Sequence, residues 1–343
     1  MLERNLSSKW RVRLFLKIAK YVAKCKNVFI YKLKFNLKWI SLENPSLESH
    51  TKKIVNASKS NFEFSRIDSA QVNLDEGVCF FNLDRRPPVL IKESTFWQPI
   101  EVDLKIGLVP ALTLPKLQAV SDVYVIPNEQ NYYHWMFDVL PYVIAIKQID
   151  QDVTFLSGSK LTTYQLESLS DQIVTNQLNH VWVNASNLIL PLRRHETGFP
   201  TASVLKILQE YFFHKFQQKE MCKVNRIYVS RRNSSRALKN ESEIEQVLMS
   251  LGFQILECND LSLHNQFKAF QSAEIVIGPH GAGLANLMFC QKGTKVIELI
   301  PSTFHNPCYE QLSSLSGLIY RAFPYDAFKS SDRIASIVEE SLT

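Results

Sequence analysis

From residue 121 onward the apolar positions of the chain alternate between two periods, and that alternation carries the architecture. Short runs rich in Val, Ile and Leu read as buried strands; stretches with an apolar residue at every third or fourth position read as helices. Strands are predicted at 123–126, 153–156, 226–230, 253–258, 274–278, 295–300 and 319–323. Helices are predicted at about 132–147, 163–169, 200–221, 241–251 (closed by Gly252), 262–272 and 309–316, with another starting near Gly283. Alternation of strand and helix across short links predicts a parallel, doubly wound sheet. Two weaker strands are expected at 181–183 and 188–190, and the 200–221 helix is a candidate bridge between two domains.

Upstream the pattern thins. Residues 43–75 are polar and rich in Ser and Asn, and read as a connection with short elements; short strands follow at 78–82 and 89–92, separated by Pro87-Pro88. At the N-terminus, residues 9–25 place Trp10, Leu14, Phe15, Ile18, Tyr21, Val22 and Cys25 on one helical arc and Arg13, Lys17, Lys20 and Lys24 on the opposite one. Residues 31–39 switch to period two: Tyr31, Leu33, Phe35, Leu37 and Trp39 alternate with Lys32, Lys34, Asn36 and Lys38. The chain thus divides into a basic amphipathic segment (1–42), an N-terminal lobe (43–205) and a C-terminal lobe (206–343).

Charge sharpens that division. The 343 residues carry 39 Lys+Arg and 33 Asp+Glu, a net +6. Residues 1–42 hold 11 of the basic groups and one acidic group, leaving 28 basic and 32 acidic groups elsewhere. A body at −4 without a nucleic-acid motif argues against nucleic acid as partner. The basic segment around 9–40 suits an anionic membrane surface, or else a helix and edge strand packed on the body with lysines in solvent. No apolar run approaches the ~20 residues of a membrane span. Six scattered cysteines without C-x-x-C spacing read as free thiols of an intracellular protein, two of them (Cys258 and Cys290) in apolar contexts.

Candidate chemistry lies at the carboxyl ends of the predicted strands, where open α/β sheets bind ligands. Those ends read Ser230-Arg231-Arg232, Asn259-Asp260, Pro279-His280-Gly281-Ala282-Gly283 and Glu298 through Pro301. Gly281 and Gly283 allow close backbone approach at a helix start, whose N–H groups favour an anion such as a diphosphate. Arg231, Arg232 and Arg236 are planar donors for phosphate, Glu298 suits a ribose diol, and Asn286 can hold the loop or touch the ligand. The structural alternatives are a tight turn, solvated arginines and a Glu298–Lys295 pair. The glycine order is neither the dinucleotide fingerprint nor a P-loop.

A second constellation, Asn131-Tyr132-Tyr133-His134-Trp135-Met136-Phe137-Asp138, follows the strand at 123–126. His134 and Asp138 are four apart and share a helical face, which suits a general base oriented by a carboxylate, a structural pair, or two ligands of a metal lacking a visible third. Asp150-Gln151-Asp152 has the form of a metal–nucleotide D-x-D but precedes its strand, and reads as a polar turn.

Together the stretches NYYHWMFDVLP (131–141), RIYVSRRNSSRALKNE (226–241) and IGPHGAGLANLMFCQKGTKVIE (277–298) resemble glycosyltransferase family 61 over about 124–323. The resemblance implies a GT-B-like α/β architecture: two Rossmann-like lobes with parallel sheets facing across a cleft. It implies an inverting, metal-independent hexosyl-, pentosyl- or N-acetylhexosaminyltransferase, with no permanently bound cofactor and a UDP- or GDP-sugar as donor. The acceptor would be a polysaccharide, glycolipid or glycoprotein hydroxyl, and the basic N-terminal segment leads us to expect the transfer at the cytoplasmic face of a membrane. Arg231, Arg236, His280, Gly281, Gly283 and Glu298 would surround the donor, with Asn240-Glu241 mainly capping a helix. His134 or Asp138 would be the base. Ala285 stands where relatives often carry Thr. The other functional class open to the chain is a non-catalytic nucleotide-sugar or glycan-binding subunit.

Overall fold

A computed structural model describes residues 122–343 apart from 128, 158–159, 172, 174, 178–181, 192–195, 217–224, 235, 302–305 and 343. Before residue 122 it describes Phe62 and six strands. The amphipathic helix expected at 9–25 and the basic strand up to Lys38 lie outside the described residues.

The chain divides into two units. Met1–Asn128, Ala145–Leu161 and Gln172–Arg194 form the first; Glu129–Ile144, Thr162–Asp171 and His195–Thr343 form the second. The sequence-based division at 205/206 differs from this one. The segment carrying His134 and Asp138 groups with the C-terminal residues, as does the helix Ala202–Phe216.

The first unit holds a ten-stranded sheet: β1 (Trp39–Ile40), β2 (Thr51–Val55), β3 (Glu63–Asn73), β4 (Cys79–Phe81), β5 (Val89–Ile91), β6 (Lys116–Leu117), β7 (Val123–Val125), β8 (Thr154–Ser157), β9 (Thr175–Gln177) and β10 (Trp182–Pro191). Its order is β1-β5-β4-β3-β10-β7-β8-β9, with β2 on β3 and β6 on β10. β10, β7, β8 and β9 pair in parallel, whereas β2 through β5 and the β3/β10 pair are antiparallel. The sheet is therefore mixed rather than wholly parallel. Two expectations change here. The 43–75 connection contains β2 and the 11-residue β3, and the strands expected at 181–183 and 188–190 are one strand running through Asn187 at φ 54°.

The second unit is built on five strands, β11 (Asn225–Val229), β12 (Phe253–Leu256), β13 (Ala273–Pro279), β14 (Lys295–Ile300) and β15 (Ile319–Pro324). They run in the order β12-β11-β13-β14-β15, parallel throughout. Near-continuous burial of β13 and β14 fits strands covered on both faces. One face packs Tyr228, Ile277 and Leu299 with Ile244 and Leu248 of the helix Glu241–Ser250 and Ile337 and Val338 of Ser331–Leu342. Elsewhere in the unit Phe212, Phe267 and Phe289 meet edge to face at 5.1 Å, tying the helices Ala202–Phe216 and Leu263–Gln271 to the 3-10 segment Ala282–Phe289. The strand order reverses between β11 and β13, which is the switch point where such sheets bind ligands. The chain as a whole is α/β with two sheets rich in parallel pairs, consistent with a GT-B-like fold.

Candidate functional site

The NYYHWMFD stretch begins as a capped helix. The Asn131 side chain accepts from the N–H groups of Tyr133 at 2.9 Å and His134 at 3.4 Å, satisfying two donors that the first turn leaves unpaired. Trp135–Val139 then widens into a π-helical turn, a rare form that recurs at functional sites. Its Trp135 is fully buried and donates to Ser168 Oγ at 2.9 Å.

His134 and Asp138 meet directly, Nδ1 to Oδ2, at 2.7 Å. The carboxylate is 2 % exposed and takes the backbone N–H of Gly198 at 3.1–3.2 Å. Gly198 has φ +82°, a left-handed conformation that favours glycine, and its carbonyl accepts the Tyr133 hydroxyl at 2.8 Å. Held by the Gly198 N–H, the carboxylate faces Nδ1 of His134 and leaves Nε2 as the ring nitrogen not engaged by Asp138.

At the switch point, Arg231 follows β11 and His280 follows β13. Arg231 Nη1 donates to the His280 carbonyl, while Arg231 N–H donates to Glu241 at 2.6 Å. His280 Nδ1 lies 2.5 Å from Glu298, and the other oxygen of that carboxylate takes the Tyr320 hydroxyl. The site thus holds a second His–carboxylate pair. Burial, then the charge of Arg236, pull the Arg231 guanidinium below its usual range. Burial pushes the Tyr309 and Tyr133 hydroxyls well up, so both remain neutral donors.

The two constellations join within the second unit. Tyr132 donates to Asn286 Oδ1 at 2.6 Å, and Asn286 in turn donates to Gln266 at 2.8 Å and the Gly283 carbonyl at 3.1 Å. Tyr133 meets Tyr309 edge to face at 5.5 Å, and Tyr309 meets His280 at 5.1 Å while donating to the Gly281 carbonyl at 2.5 Å. Two tyrosines therefore bridge the His134 and His280 pairs.

Residues 132–297 match the family described as Glycosyltransferase 61. The chain carries a glycosyltransferase 61 region. It is 29 % identical over 132 residues to an EGF domain-specific O-linked N-acetylglucosamine transferase of Drosophila melanogaster, covering 37 % of this chain and 25 % of that protein. It is 34 % identical over 80 residues to a beta-1,2-xylosyltransferase of Oryza sativa subsp. japonica, covering 23 % and 15 %. A beta-1,2-xylosyltransferase of Arabidopsis thaliana is 36 % identical over 62 residues, covering 18 % and 12 %. The matches span a quarter or less of the length of these relatives.

Within the glycosyltransferase 61 region and its flanks, the structure gathers His134, Asp138, Arg231, His280, Gly281, Gly283 and Asn286 and redistributes several expected roles. Glu298 is fully buried with both oxygens engaged, so in this geometry it orients His280 rather than meeting a ribose. Arg232 pairs with Glu257 and, at 3.0 Å, with Glu245, neither the phosphate contact nor the merely solvated arginine expected. Gly281 has extended φ and lies against Arg231: a β-carbon there would fall 2.6 Å from the guanidinium, which would have to shift. Gly283 likewise clears Val229 at 2.9 Å. The helix expected after Gly283 is the 3-10 segment Ala282–Phe289, which opens on Ala282. Arg236 is exposed beside Arg231. Asp150-Gln151-Asp152 is a turn in which Asp150 accepts the Asp152 N–H at 2.9 Å.

Sequence reasoning missed Gly198, Tyr309 and Tyr320. Only Gly198 left a signal, in the Thr197-Gly198-Phe199-Pro200 turn composition. Among the described residues no three His, Cys, Asp or Glu side chains converge as a metal site, and no helix is long and apolar enough to cross a membrane.

Proposed function

We propose that this chain is an inverting glycosyltransferase that moves a sugar from a UDP- or GDP-sugar to a hydroxyl of a glycan, glycolipid or glycoprotein acceptor, without a bound metal. The observation that carries the reading is the union of the His134–Asp138 pair with the Arg231–His280–Gly281 loop through Tyr132, Tyr133 and Tyr309. The family match and the transferases among its relatives support transferase chemistry.

Inversion is one displacement at the anomeric carbon. A base removes the proton of the acceptor hydroxyl as its oxygen bonds to that carbon, and the bond to the donor diphosphate breaks. With its Nδ1 proton on Asp138, His134 has Nε2 as the basic nitrogen for this transfer, and Asp138 stabilises the imidazolium that results. The departing diphosphate gains negative charge, which Arg231, Arg236 and the 280–283 loop offset. The basic segment at 9–40 is proposed as a peripheral contact with anionic lipid at the cytoplasmic face.

A panel of nucleotide sugars incubated with purified protein and candidate acceptors tests the reading, with and without EDTA. Turnover that is lost in His134→Ala while donor binding is retained supports catalysis. Failure of every donor to bind or react sinks the proposal; donor binding without turnover in the parent protein assigns the non-catalytic subunit instead. EDTA-sensitive turnover overturns metal independence.

A further inference from the structure

The helix Glu241–Ser250 opens on a carboxylate that is 2 % exposed and lies behind a loop carrying three arginines. Its oxygens receive donors from three places. Oε1 accepts the Arg231 N–H at 2.6 Å and the Tyr228 hydroxyl at 3.2 Å; Oε2 accepts the Leu238 N–H at 3.1 Å. The Leu238 bond reaches three residues back, to the loop that precedes the N-cap residue Asn240. The Arg231 bond reaches ten residues back to the exit of β11 and lies outside any capping pattern. The neighbouring Asn240 makes no side-chain cap and donates to the Phe328 carbonyl at 2.9 Å.

One carboxylate therefore pins both ends of the 231–238 loop, at strand exit and at helix entry. So deeply buried, it is out of reach of a ligand, and its charge would repel the anion the loop is built for. We propose that Glu241 is a positioning residue that folds the 231–238 loop so that the Arg231 and Arg236 guanidiniums converge on one anionic group, the donor diphosphate. The inference rests on the donor-site reading given above. Arg236 lies near enough for its charge to oppose that of Arg231, an arrangement a free loop would relax. Two backbone bonds to a buried anion hold the loop against that repulsion, and the same anion offsets part of it.

The test uses the full chain, with UDP and GDP as probes in calorimetry and hydrogen exchange read on the 231–238 peptide. Glu241→Gln keeps the size but faces an N–H donor with a second donor. Expected are faster exchange of 231–238 with β13 unchanged, and nucleotide affinity about tenfold weaker. In turnover the loss falls on the donor KM rather than on kcat. Arg236→Ala then costs less in the Glu241→Gln background than in the parent, because the two act through one loop. Tyr228→Phe removes only the third bond and retains the parent affinity. Should Glu241→Gln fail to fold, Glu241→Asp keeps the charge and shortens the reach, with the same expectations. Unchanged exchange and affinity in the Glu241 variant, alongside lost binding in Arg231→Ala, overturn the inference alone. A parent protein that binds neither nucleotide, with arginine variants no different, overturns the donor reading and the inference with it.

Discussion

Gly281 and Arg231 occupy one space: a β-carbon on the glycine would lie 2.6–2.8 Å from Nη1, Cζ and Nε of the guanidinium. No ordinary contact is that close, so any side chain at 281 must push Arg231 off the His280 carbonyl. Gly281→Ala is therefore expected to weaken UDP or GDP binding about tenfold, the loss of one charge-assisted contact, with little change in melting temperature. Equal affinity in calorimetry would mean that Arg231 does not meet the ligand.

The His134–Asp138 pair predicts a separation of binding from chemistry. Asp138→Asn cannot favour the same tautomer, and it also faces the Gly198 N–H with an amide. Turnover should fall by about 10²–10⁴, the range of a misoriented general base, while nucleotide affinity stays within a factor of two. Single-turnover kinetics against calorimetry make the comparison. Loss of affinity in step with turnover would make the pair a packing element.

Arg232 is predicted to behave oppositely to its neighbour. It bridges Glu257 and the buried Glu245, so Arg232→Ala leaves two carboxylates without their cation. Thermal stability should fall and nucleotide affinity should hold. Weakened binding in a variant that melts like the parent would return Arg232 to the ligand site.

These contrasts show which parts of the site sequence patterns reach. The second sheet is legible because strands covered on both faces are largely continuous apolar runs, as at 275–277 and 296–297. β3 is not: Glu63-Phe64-Ser65-Arg66-Ile67-Asp68-Ser69 has no clean period, and its strand character comes from the ladder to β10, whose partners run from Asn73–Trp182 to Phe64–Pro191, far along the chain. The residues around the switch point are legible as types, since arginines, glycines and a histidine stand out at the ends of apolar strands. Their partners are not. Glu298 pairs in register with Ala322, which puts Tyr320 on its diagonal, and no composition signal encodes that offset. Gly198 meets Asp138 across 60 residues, so its backbone role is set by tertiary structure alone.

Gly198 supplies a stability prediction. At φ +82°, a β-carbon costs about 1–2 kcal/mol and would also lie 3.5 Å from His134 Cε1. Gly198→Ala should lower unfolding free energy by that amount in denaturant titration and reduce turnover through the displaced carboxylate. A variant with parent stability would mean that this turn relaxes freely.

Cys308 gives a pH dependence whose sign follows from burial. It is the first residue of the helix Cys308–Ser316, where the dipole alone favours a thiolate, yet burial pushes the thiol up to about 12. Burial wins. Below about pH 9 the thiol is protonated in both folded and unfolded chains, and its full contribution to stability is present. As pH rises from there toward 12, the unfolded chain releases the proton first and the folded chain loses stability, by at most about 1.4 kcal/mol per unit. The stability difference between the parent and Cys308→Ala, measured by denaturant titration, should therefore narrow from pH 8 to pH 10.5. Alkylation of Cys308 by iodoacetamide should remain far slower than that of a free thiol at pH 8. A difference that is flat with pH, or fast alkylation at pH 8, would place the thiolate near the ordinary range and remove burial as the dominant cause.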